Sequence, residues 1–161
     1  MKFRLTAAAI DPAALLGALD DTDSGACVTF EGRVRDRNEG KSVRALDYEA
    51  YGPLAEKEGE KILAEARKKF PIHGAACVHR TGRLKLGEIA VWVAVTAAHR
   101  GAAFEACRYI IDQTKARVPI WKNEHYAKGA SAWINSAGKA GAPAGKPAAR
   151  RGSASAGHKR R

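Results

Sequence analysis

The sequence predicts an α+β fold in which antiparallel sheets combine with about three helices. Three observations lead to this prediction. Helical segments with one apolar stripe are interspersed among short pairs of strands, instead of alternating with single strands. One strand is apolar on both faces, as expected of a strand inside a sheet. The composition then changes sharply after residue 136, which limits the predicted folded domain to residues 1–136.

The N-terminal part of the chain contains a short helix between strands. Asp11 and Pro12 supply an N-cap and a first-turn proline, which indicate that a helix begins there and continues to about Leu19. Turn chemistry at residues 38–40 separates two of the strands. The predicted strands are Met1–Leu5, Cys27–Val34 and Ser42–Ala50.

Two longer helices flank the strand that is apolar on both faces. Pro53 begins the second helix and Pro71 ends it, and Pro119 follows the third. The predicted buried stripes are Ala55, Gly59, Ile62, Leu63, Ala66 and Phe70 in the second helix, and Phe104, Cys107, Ile110, Ile111 and Thr114 in the third. The strands between these helices are predicted at Ala75–His79, Gly82–Leu84 and Ile89–Ala98.

The formal net charge of +11 is concentrated at the C-terminus. Residues 137–161 contain seven Lys or Arg and no acidic residue, which leaves +4 for residues 1–136. Because this segment consists almost entirely of Ala, Gly, Pro, Ser, Lys and Arg, it cannot bury enough apolar surface to fold. We predict a disordered basic tail, and the charge of the chain is by itself no reason to predict specific nucleic-acid binding.

Cys27, Cys77 and Cys107 are widely spaced and form no CxxC pair, so we predict buried free thiols instead of disulfides or a metal site. The N-terminus lacks the apolar run and cleavage site of a secretory signal. No stretch is long and apolar enough to span a membrane. These features predict a cytoplasmic protein.

Two lysines flank the end of the third helix. Pro119 lacks a backbone N–H and disfavours the helical region for Val118, so Lys122 lies on a segment that leaves the direction of the helix carrying Lys115. Two ammonium groups on different backbone directions can converge on one anion. The alternative for Lys115 is a helix-end cation that only balances the helix dipole. A partly desolvated Lys122 among other cations can act as a base or nucleophile.

Two further clusters could bind an anion. Arg33 and Arg35 share one face of a predicted strand, with Val34 on the other, and suit a phosphate or carboxylate. The alternative is an edge strand whose charges only prevent aggregation. His99 and Arg100 lie where a strand ends and the third helix begins, next to free N–H groups. There the alternative is a surface Arg beside a His bonded to local backbone.

Several motifs together resemble the family of large, catalytic subunits of molybdopterin synthase, over residues 1–136 and in matching order and spacing. These motifs are Phe30-Glu31-Gly32-Arg33-Val34-Arg35, Leu46-Asp47-Tyr48-Glu49-Ala50-Tyr51, His79-Arg80-Thr81-Gly82-Arg83-Leu84, His99-Arg100, and Ile111-Asp112 through Lys115 to Val118-Pro119-Ile120-Trp121-Lys122-Asn123-Glu124. The resemblance implies an α/β-hammerhead-type fold and a sulfurtransferase of molybdenum cofactor biosynthesis.

The resemblance further implies a homodimer in which each protomer binds a small, ubiquitin-like sulfur-carrier subunit, giving a 2:2 heterotetramer. The carrier ends in Gly-Gly with a C-terminal thiocarboxylate. Its sulfur converts cyclic pyranopterin monophosphate into molybdopterin in two successive insertions. Because the sulfur comes from the partner, the resemblance implies no cofactor, no metal and no catalytic cysteine in this chain.

The same resemblance assigns roles to individual residues. Lys115 and Lys122 are implied to be catalytic, and Lys115 is the lysine that the carrier's C-terminus reaches. We interpret Arg35, His99 and Arg100 as the groups that neutralise the substrate phosphate. Lys115 would stabilise charge on the acyl oxygen of the thiocarboxylate, and Lys122 would transfer protons. The full set implied to bind substrate is Arg33, Val34, Arg35, His99, Arg100, Lys115, Lys122, Asn123 and Glu124.

Two other classes of function stay open at this point. A nucleic-acid-binding module could use the basic tail together with the strands around Arg33 and Arg44, although the tail lacks aromatic residues that would stack on bases. A noncatalytic scaffold could bind the sulfur carrier without turnover. The lysine pair and the His-Arg pair argue against the scaffold.

Overall fold

The computed structural model describes residues 2–19 and 21–136, and the predicted tail at 137–161 lies outside them. Within the described residues, helices and strands combine as the predicted α+β class requires. The helices are α1 (Pro12–Gly17), α2 (Gly52–Lys69) and α3 (Arg100–Arg117). The strands are β1 (Lys2–Thr6), β2 (Ala26–Arg33), β3 (Arg37–Asn38), β4 (Lys41–Ala50), β5 (Gly74–Arg80), β6 (Gly82–Lys85), β7 (Ile89–Ala97), β8 (Ile120–Tyr126) and β9 (Trp133–Asn135).

The first sheet has the strand order β1-β5-β7-β2. β7 pairs antiparallel with both of its neighbours and is buried from Ala90 to Ala97, which confirms the prediction of a central strand. β1 departs from the predicted antiparallel arrangement because it pairs in parallel with β5, with Phe3 opposite Cys77. A parallel pair needs a long crossover connection, and the chain between β1 and β5, which includes α2, provides it.

The main core lies between the first sheet and the two long helices. Ile62 and Leu63 of α2, Ile110 of α3 and Val93 of β7 are almost completely buried in one cluster. On the opposite face of the sheet, Trp92 packs in a second cluster with apolar residues of α1 and its flanks, namely Ile10, Leu15 and Leu19. Both faces of β7 are therefore removed from water, as its two apolar faces predicted.

The second sheet has the order β3-β4-β8-β9, with β6 also paired to β4. The turn between β3 and β4 has positive φ angles of 49° at Glu39 and 77° at Gly40, as a tight two-residue hairpin turn requires. β8 runs antiparallel to β4, so that Tyr48 lies opposite Lys122. The sequence prediction missed β3 and β9 because two or three residues are too few to show a pattern, and missed β8 because its polar residues do not alternate with apolar ones.

Two residues predicted to be buried are exposed. Phe104 on α3 keeps 60% of its surface exposed, because Ala103 and Cys107 occupy the side of the helix that faces the sheet. Cys27 is exposed because exposure alternates along the edge strand β2 and Cys27 falls on the outward side. The predicted free state of the thiols is confirmed for all three cysteines.

Gly59 on α2 permits the close approach of β1. A Cβ atom at this position would lie 2.0 Å from Cγ of Phe3, far inside van der Waals contact. We expect Gly59→Ala to lower the free energy of unfolding by about 1–3 kcal/mol, the usual cost of overpacking a core. Urea denaturation followed by circular dichroism measures this change.

Gly17→Ala in α1 is the matched control, because a Cβ atom there would meet no atom within 4 Å. This variant is expected to be neutral or slightly more stable, since alanine restricts the unfolded chain more than glycine does. Unchanged stability of Gly59→Ala would contradict the packing of Phe3 on α2.

Candidate active site

A cavity of about 410 Å³ is lined by residues from both sheets and from the C-terminal half of α3. Its walls include Gly32 to Arg35 and Arg37 near the end of β2, Leu46 and Tyr48 of β4, His79 of β5, Ile111, Thr114 and Lys115 of α3, and Ile120, Lys122 and Glu124 of β8. The volume falls in the range of sites that bind small molecules.

Lys115 and Lys122 lie on the wall of this one cavity. Lys115 is in the last turn of α3, and the chain leaves the helix at Val118, whose φ of −71° and ψ of 128° belong to extended backbone. β8 then begins at Ile120. The change of direction at Pro119 therefore places both lysines around one space, the arrangement expected from the proline and its position.

Glu124 is buried beside Lys122 and is fully hydrogen bonded. Its Oε1 accepts from Nζ of Lys122 at 2.8 Å, and its Oε2 accepts from Nδ2 of Asn38 at 2.8 Å and from the hydroxyl of Tyr126 at 2.5 Å. Burial by itself would raise the pKa of Glu124, but the hydrogen bonds from Lys122, Tyr126 and Asn38 outweigh burial and lower the pKa. The carboxylate is therefore ionised at neutral pH and fixes the position of the Lys122 ammonium group.

Three arginines supply further positive charge. Arg33 pairs with Glu31 at 2.5 Å, and Arg35 contacts Oδ1 of Asn38 at 3.4 Å, yet both arginines remain exposed. Arg37 also lines the cavity, and the sequence analysis did not include it. Its position on the short strand β3, which the sequence did not reveal, brings it to the site.

Val34 forms an apolar part of the wall and anchors the end of β2. Its N–H donates to the carbonyl oxygen of Glu88 at 3.0 Å, and its own carbonyl oxygen accepts from the N–H of Gly87 at 2.8 Å. The side chain is buried among Leu46 and Leu84. These contacts hold the backbone from which the neighbouring arginines project.

The charge of the cavity is strongly positive. Among the described residues that line it, five are Arg or Lys and one is acidic. Because that one carboxylate is already paired with Lys122, four cations are left without a carboxylate in the cavity itself. Such a cavity favours an anionic ligand.

His99 and Arg100 do not line the cavity of their own chain. They lie at the N-terminal end of α3, whereas Lys115 lies near its C-terminal end. Fifteen helical residues span roughly 22 Å at 1.5 Å per residue, which is too far for one small ligand to bridge. The structure of one chain therefore does not bring this predicted pair together with the two lysines.

Asn123 also lies away from the cavity, although Lys122 and Glu124 on either side of it line the wall. Successive side chains of a strand point to opposite faces, so β8 directs Asn123 to the other face of the second sheet. The sequence analysis placed Asn123 with its neighbours because it did not identify β8 as a strand. Asn123 is therefore not positioned to contact a ligand in this cavity.

His79 and Tyr48 line the cavity and were not among the predicted site residues. The ring of His79 meets the ring of Tyr48 edge-to-face, with centroids 4.9 Å apart, and its Nδ1 lies 2.8 Å from the carbonyl oxygen of Arg80. Burial, with the charge of Lys115 as a further cause, lowers the pKa of His79 to about 4. Burial, followed by the charge of Glu124, raises the pKa of Tyr48 to about 12. Both side chains are therefore uncharged at neutral pH.

In residues 2–19 and 21–136, no group of three or more His, Cys, Asp or Glu side chains could hold a metal ion. None of the helices in those residues is long and apolar enough to cross a membrane.

Residues 5–117 match the family described as MoaE protein. Over 124 residues, the chain is 48% identical to the molybdopterin synthase catalytic subunit of Thermoplasma volcanium. This alignment covers 77% of the chain and 90% of that protein.

Two solved structures are also similar to this chain. Molybdopterin synthase from Staphylococcus aureus has a TM-score of 0.78 and 38% sequence identity, over 83% of this chain and 98% of that one. A protein–protein complex of subunits 1 and 2 of molybdopterin-converting factor from Helicobacter pylori has a TM-score of 0.64 and 24% identity, over 78% of this chain and 90% of that one. At 24% identity, the second likeness concerns the fold alone.

Proposed function

The chain belongs to the MoaE family of molybdopterin synthase catalytic subunits, and on this premise we propose that it is a sulfurtransferase acting on cyclic pyranopterin monophosphate. In this proposal, two sulfur atoms are inserted into the substrate to give molybdopterin. The observation that carries the proposal is the positive cavity that contains both Lys115 and Lys122. A phosphorylated substrate and a carboxylate-ended carrier are both anions, and both require such a site.

The arginines bind the substrate phosphate in this proposal. Arg33, Arg35 and Arg37 project from one segment at the edge of the cavity, and guanidinium groups bind phosphate oxygens in pairs. Val34 between them presents an apolar surface to the pterin ring. The ring would then extend inward toward the two lysines.

The sulfur donor is a small ubiquitin-like carrier whose C-terminal Gly-Gly carries a thiocarboxylate. Two glycines lack side chains, so that an extended C-terminus can enter a narrow cavity. The relative from Thermoplasma volcanium is named a catalytic subunit, which supports a second kind of subunit as partner, and two carriers on a homodimer would form a 2:2 heterotetramer. We place the complex in the cytoplasm, where the free thiols of this chain stay reduced.

Lys115 acts on the acyl group of the carrier. The thiocarboxylate sulfur attacks a carbon of the substrate and forms a carbon–sulfur bond, while a carbon–oxygen bond at that carbon breaks and its oxygen leaves with a proton. Water then cleaves the bond between the acyl carbon and that sulfur, which leaves the sulfur on the substrate as a thiol. The carrier leaves with an ordinary carboxylate, so each product consumes two carriers. Hydrolysis passes through a tetrahedral oxyanion, and the ammonium group of Lys115 stabilises its charge.

Lys122 transfers protons in the same reaction. Its ammonium group is held 2.8 Å from Oε1 of Glu124, inside the cavity, and is thus fixed relative to the bound substrate. A positioned donor of this kind can protonate an oxygen of the substrate as it leaves. Glu124 serves as the acceptor that holds Lys122 in place.

We assign His99 and Arg100 to the site of the second protomer. Because they lie far from the cavity of their own chain, a homodimer is the arrangement that allows them to contact substrate. Phe104, one turn further along α3, is 60% exposed and lies beside Phe30 in a shallow apolar depression. An apolar surface at this end of α3 supports a protomer contact there.

The direct test mixes the purified chain with thiocarboxylated carrier and cyclic pyranopterin monophosphate and assays the dithiolene product. A carrier that ends in an ordinary carboxylate is the control and should give no product. Carrier binding without any product in the complete mixture would contradict the proposal and favour the noncatalytic scaffold.

Hybrid dimers test whether the site is shared between protomers. Lys115→Ala and Arg100→Ala chains, each expected to be inactive alone, are co-expressed or refolded together. A two-fold symmetric dimer with shared sites then regains one intact site per hybrid, so we expect about a quarter of the wild-type activity from random mixing. Failure to regain activity, with hybrids present by mass spectrometry, would contradict the assignment of Arg100 to the partner's site.

A further inference from the structure

We propose that His79 is a positioning residue of this site: its Nε2 accepts a hydrogen bond from the ammonium group of Lys115 and holds that group toward the bound acyl carbon. This inference rests on the proposed role of Lys115. It adds a residue that the sequence analysis did not assign to the site.

The contacts of His79 fix which ring nitrogen can act. The carbonyl oxygen of Arg80 accepts only hydrogen bonds, so Nδ1 of His79, 2.8 Å away, carries the hydrogen. The neutral ring then has its lone pair on Nε2. The edge-to-face contact with Tyr48, at 4.9 Å between centroids, and the burial of the side chain hold the ring in this orientation.

The ring also has the right charge to act on an ammonium group. A protonated imidazole would repel Lys115, whereas a neutral one attracts it. Burial and the charge of Lys115 keep the pKa of His79 at about 4, so the imidazole stays neutral at neutral pH. His79 and Lys115 both line the cavity, so the ring and the ammonium group face the same space.

A neutral acceptor serves Lys115 better than a carboxylate would. Lys115 has a flexible four-carbon stem and is exposed on the last turn of α3, so its ammonium group needs a partner to fix its direction. Glu124 already accepts from Lys122, Asn38 and Tyr126. An imidazole directs the ammonium group without cancelling its charge, and that charge is what an oxyanion requires.

Two substitutions test the roles of the two ring nitrogens of His79 separately. His79→Asn keeps a donor near Nδ1 for the carbonyl of Arg80 but removes the acceptor at Nε2. His79→Gln places an amide oxygen near Nε2 and thus keeps the acceptor. We expect kcat to fall about 100-fold in His79→Asn, the loss typical of a catalytic group displaced by about 1 Å, with KM for the substrate unchanged. His79→Gln should retain most of the wild-type kcat.

The comparison of the two variants decides the inference. Greater activity in His79→Asn than in His79→Gln would show that the bond to Arg80 matters, and would reduce His79 to a structural role. Equal loss or equal retention in both variants also overturns the inference, and thermal unfolding of both chains reveals any loss of fold. Lys115→Ala is assayed in parallel. If that variant keeps turnover, the proposed role of Lys115 fails and the inference fails with it; if it is inactive while the two His79 variants are equal, the inference alone fails. Absence of product from the wild-type chain would instead contradict the proposed function.

Discussion

Lys115→Ala is expected to reduce dithiolene formation about 1,000-fold or more, because it removes the charge that stabilises the tetrahedral oxyanion. The fold should not change. Lys115 is exposed at the end of α3, so its truncation opens no cavity in the core. Product formation with saturating carrier and substrate measures the effect on kcat, and size-exclusion chromatography measures the dimer.

Lys57→Ala is the matched control, because it removes the same charge from an exposed position of α2 that lies outside the cavity. Its activity is expected to equal that of the wild-type chain. Lys115→Arg keeps the charge but replaces a compact ammonium with a planar fork, so we expect it to recover only a small part of the activity. Near-normal turnover of Lys115→Ala would remove Lys115 from the mechanism and leave the helix dipole as the reason for a lysine at that position.

The sequence predicted the elements that can be recognised from the apolar pattern or the prolines of their own segment. β7 is apolar on both faces, and α2 begins and ends at prolines, so each could be located from neighbouring residues alone. β8 is different. Its residues between Trp121 and Tyr126 are polar, and they form a strand because β4 supplies hydrogen-bonding partners from a distant part of the chain.

Because β8 was not located, Asn123 was grouped with Lys122 and Glu124 in the predicted site. The site was predicted as a run of sequence, but a strand divides such a run between its two faces. Lys122 and Glu124 reach the cavity and Asn123 does not. The prediction of a shared space for the two lysines succeeded because a proline changes the chain direction whatever surrounds it.

His79 and Arg100 illustrate two other limits. A histidine in a strand gives no sign of its charge, since the burial that keeps His79 neutral is created by packing from several elements. The limit at Arg100 is different. The sequence indicates that Arg100 belongs to a functional motif, but a single chain cannot reveal which protomer's ligand it contacts. The two residues differ in position, because His79 lines the cavity of its own chain and Arg100 does not.

Charged and neutral polar groups therefore lie in different parts of the cavity. Exposed arginines at the edge carry the charge that attracts an anion, and they can release it because water also solvates them. Further in, Tyr48 is half-buried, His79 is buried, and both are neutral. These neutral side chains exclude water, and the attraction between a lysine and a developing negative charge is stronger where water is excluded. The one buried carboxylate is the exception, and its removal has the second large effect that we expect.

Glu124→Gln is expected to lower kcat about 100-fold, within the range for loss of a positioned proton-transfer group. Glu124 accepts from three donors, on Lys122, Asn38 and Tyr126. A glutamine has one acceptor oxygen and an NH2 group that would point at some of these donors, so the ammonium group of Lys122 loses its fixed position. Because the site is buried, we also expect the free energy of unfolding to fall by about 1–3 kcal/mol.

The pH dependence of the unfolding free energy tests whether the charge of Glu124 stabilises the fold. The pKa of Glu124 in the folded chain lies below its ordinary value of 4.5, so its contribution is complete above pH 4.5 and is lost as the pH falls through the lowered pKa. The difference in unfolding free energy between the wild-type chain and Glu124→Gln should therefore be constant near neutrality and shrink in acid. Glu56→Gln is the control, because Glu56 is exposed and accepts a 3.5 Å hydrogen bond from the N–H of Leu5 that a glutamine oxygen can also accept. A wild-type kcat in Glu124→Gln would show that Lys122 needs no fixed partner, and a stability difference that persists in acid would show that the carboxylate's charge is not what holds it.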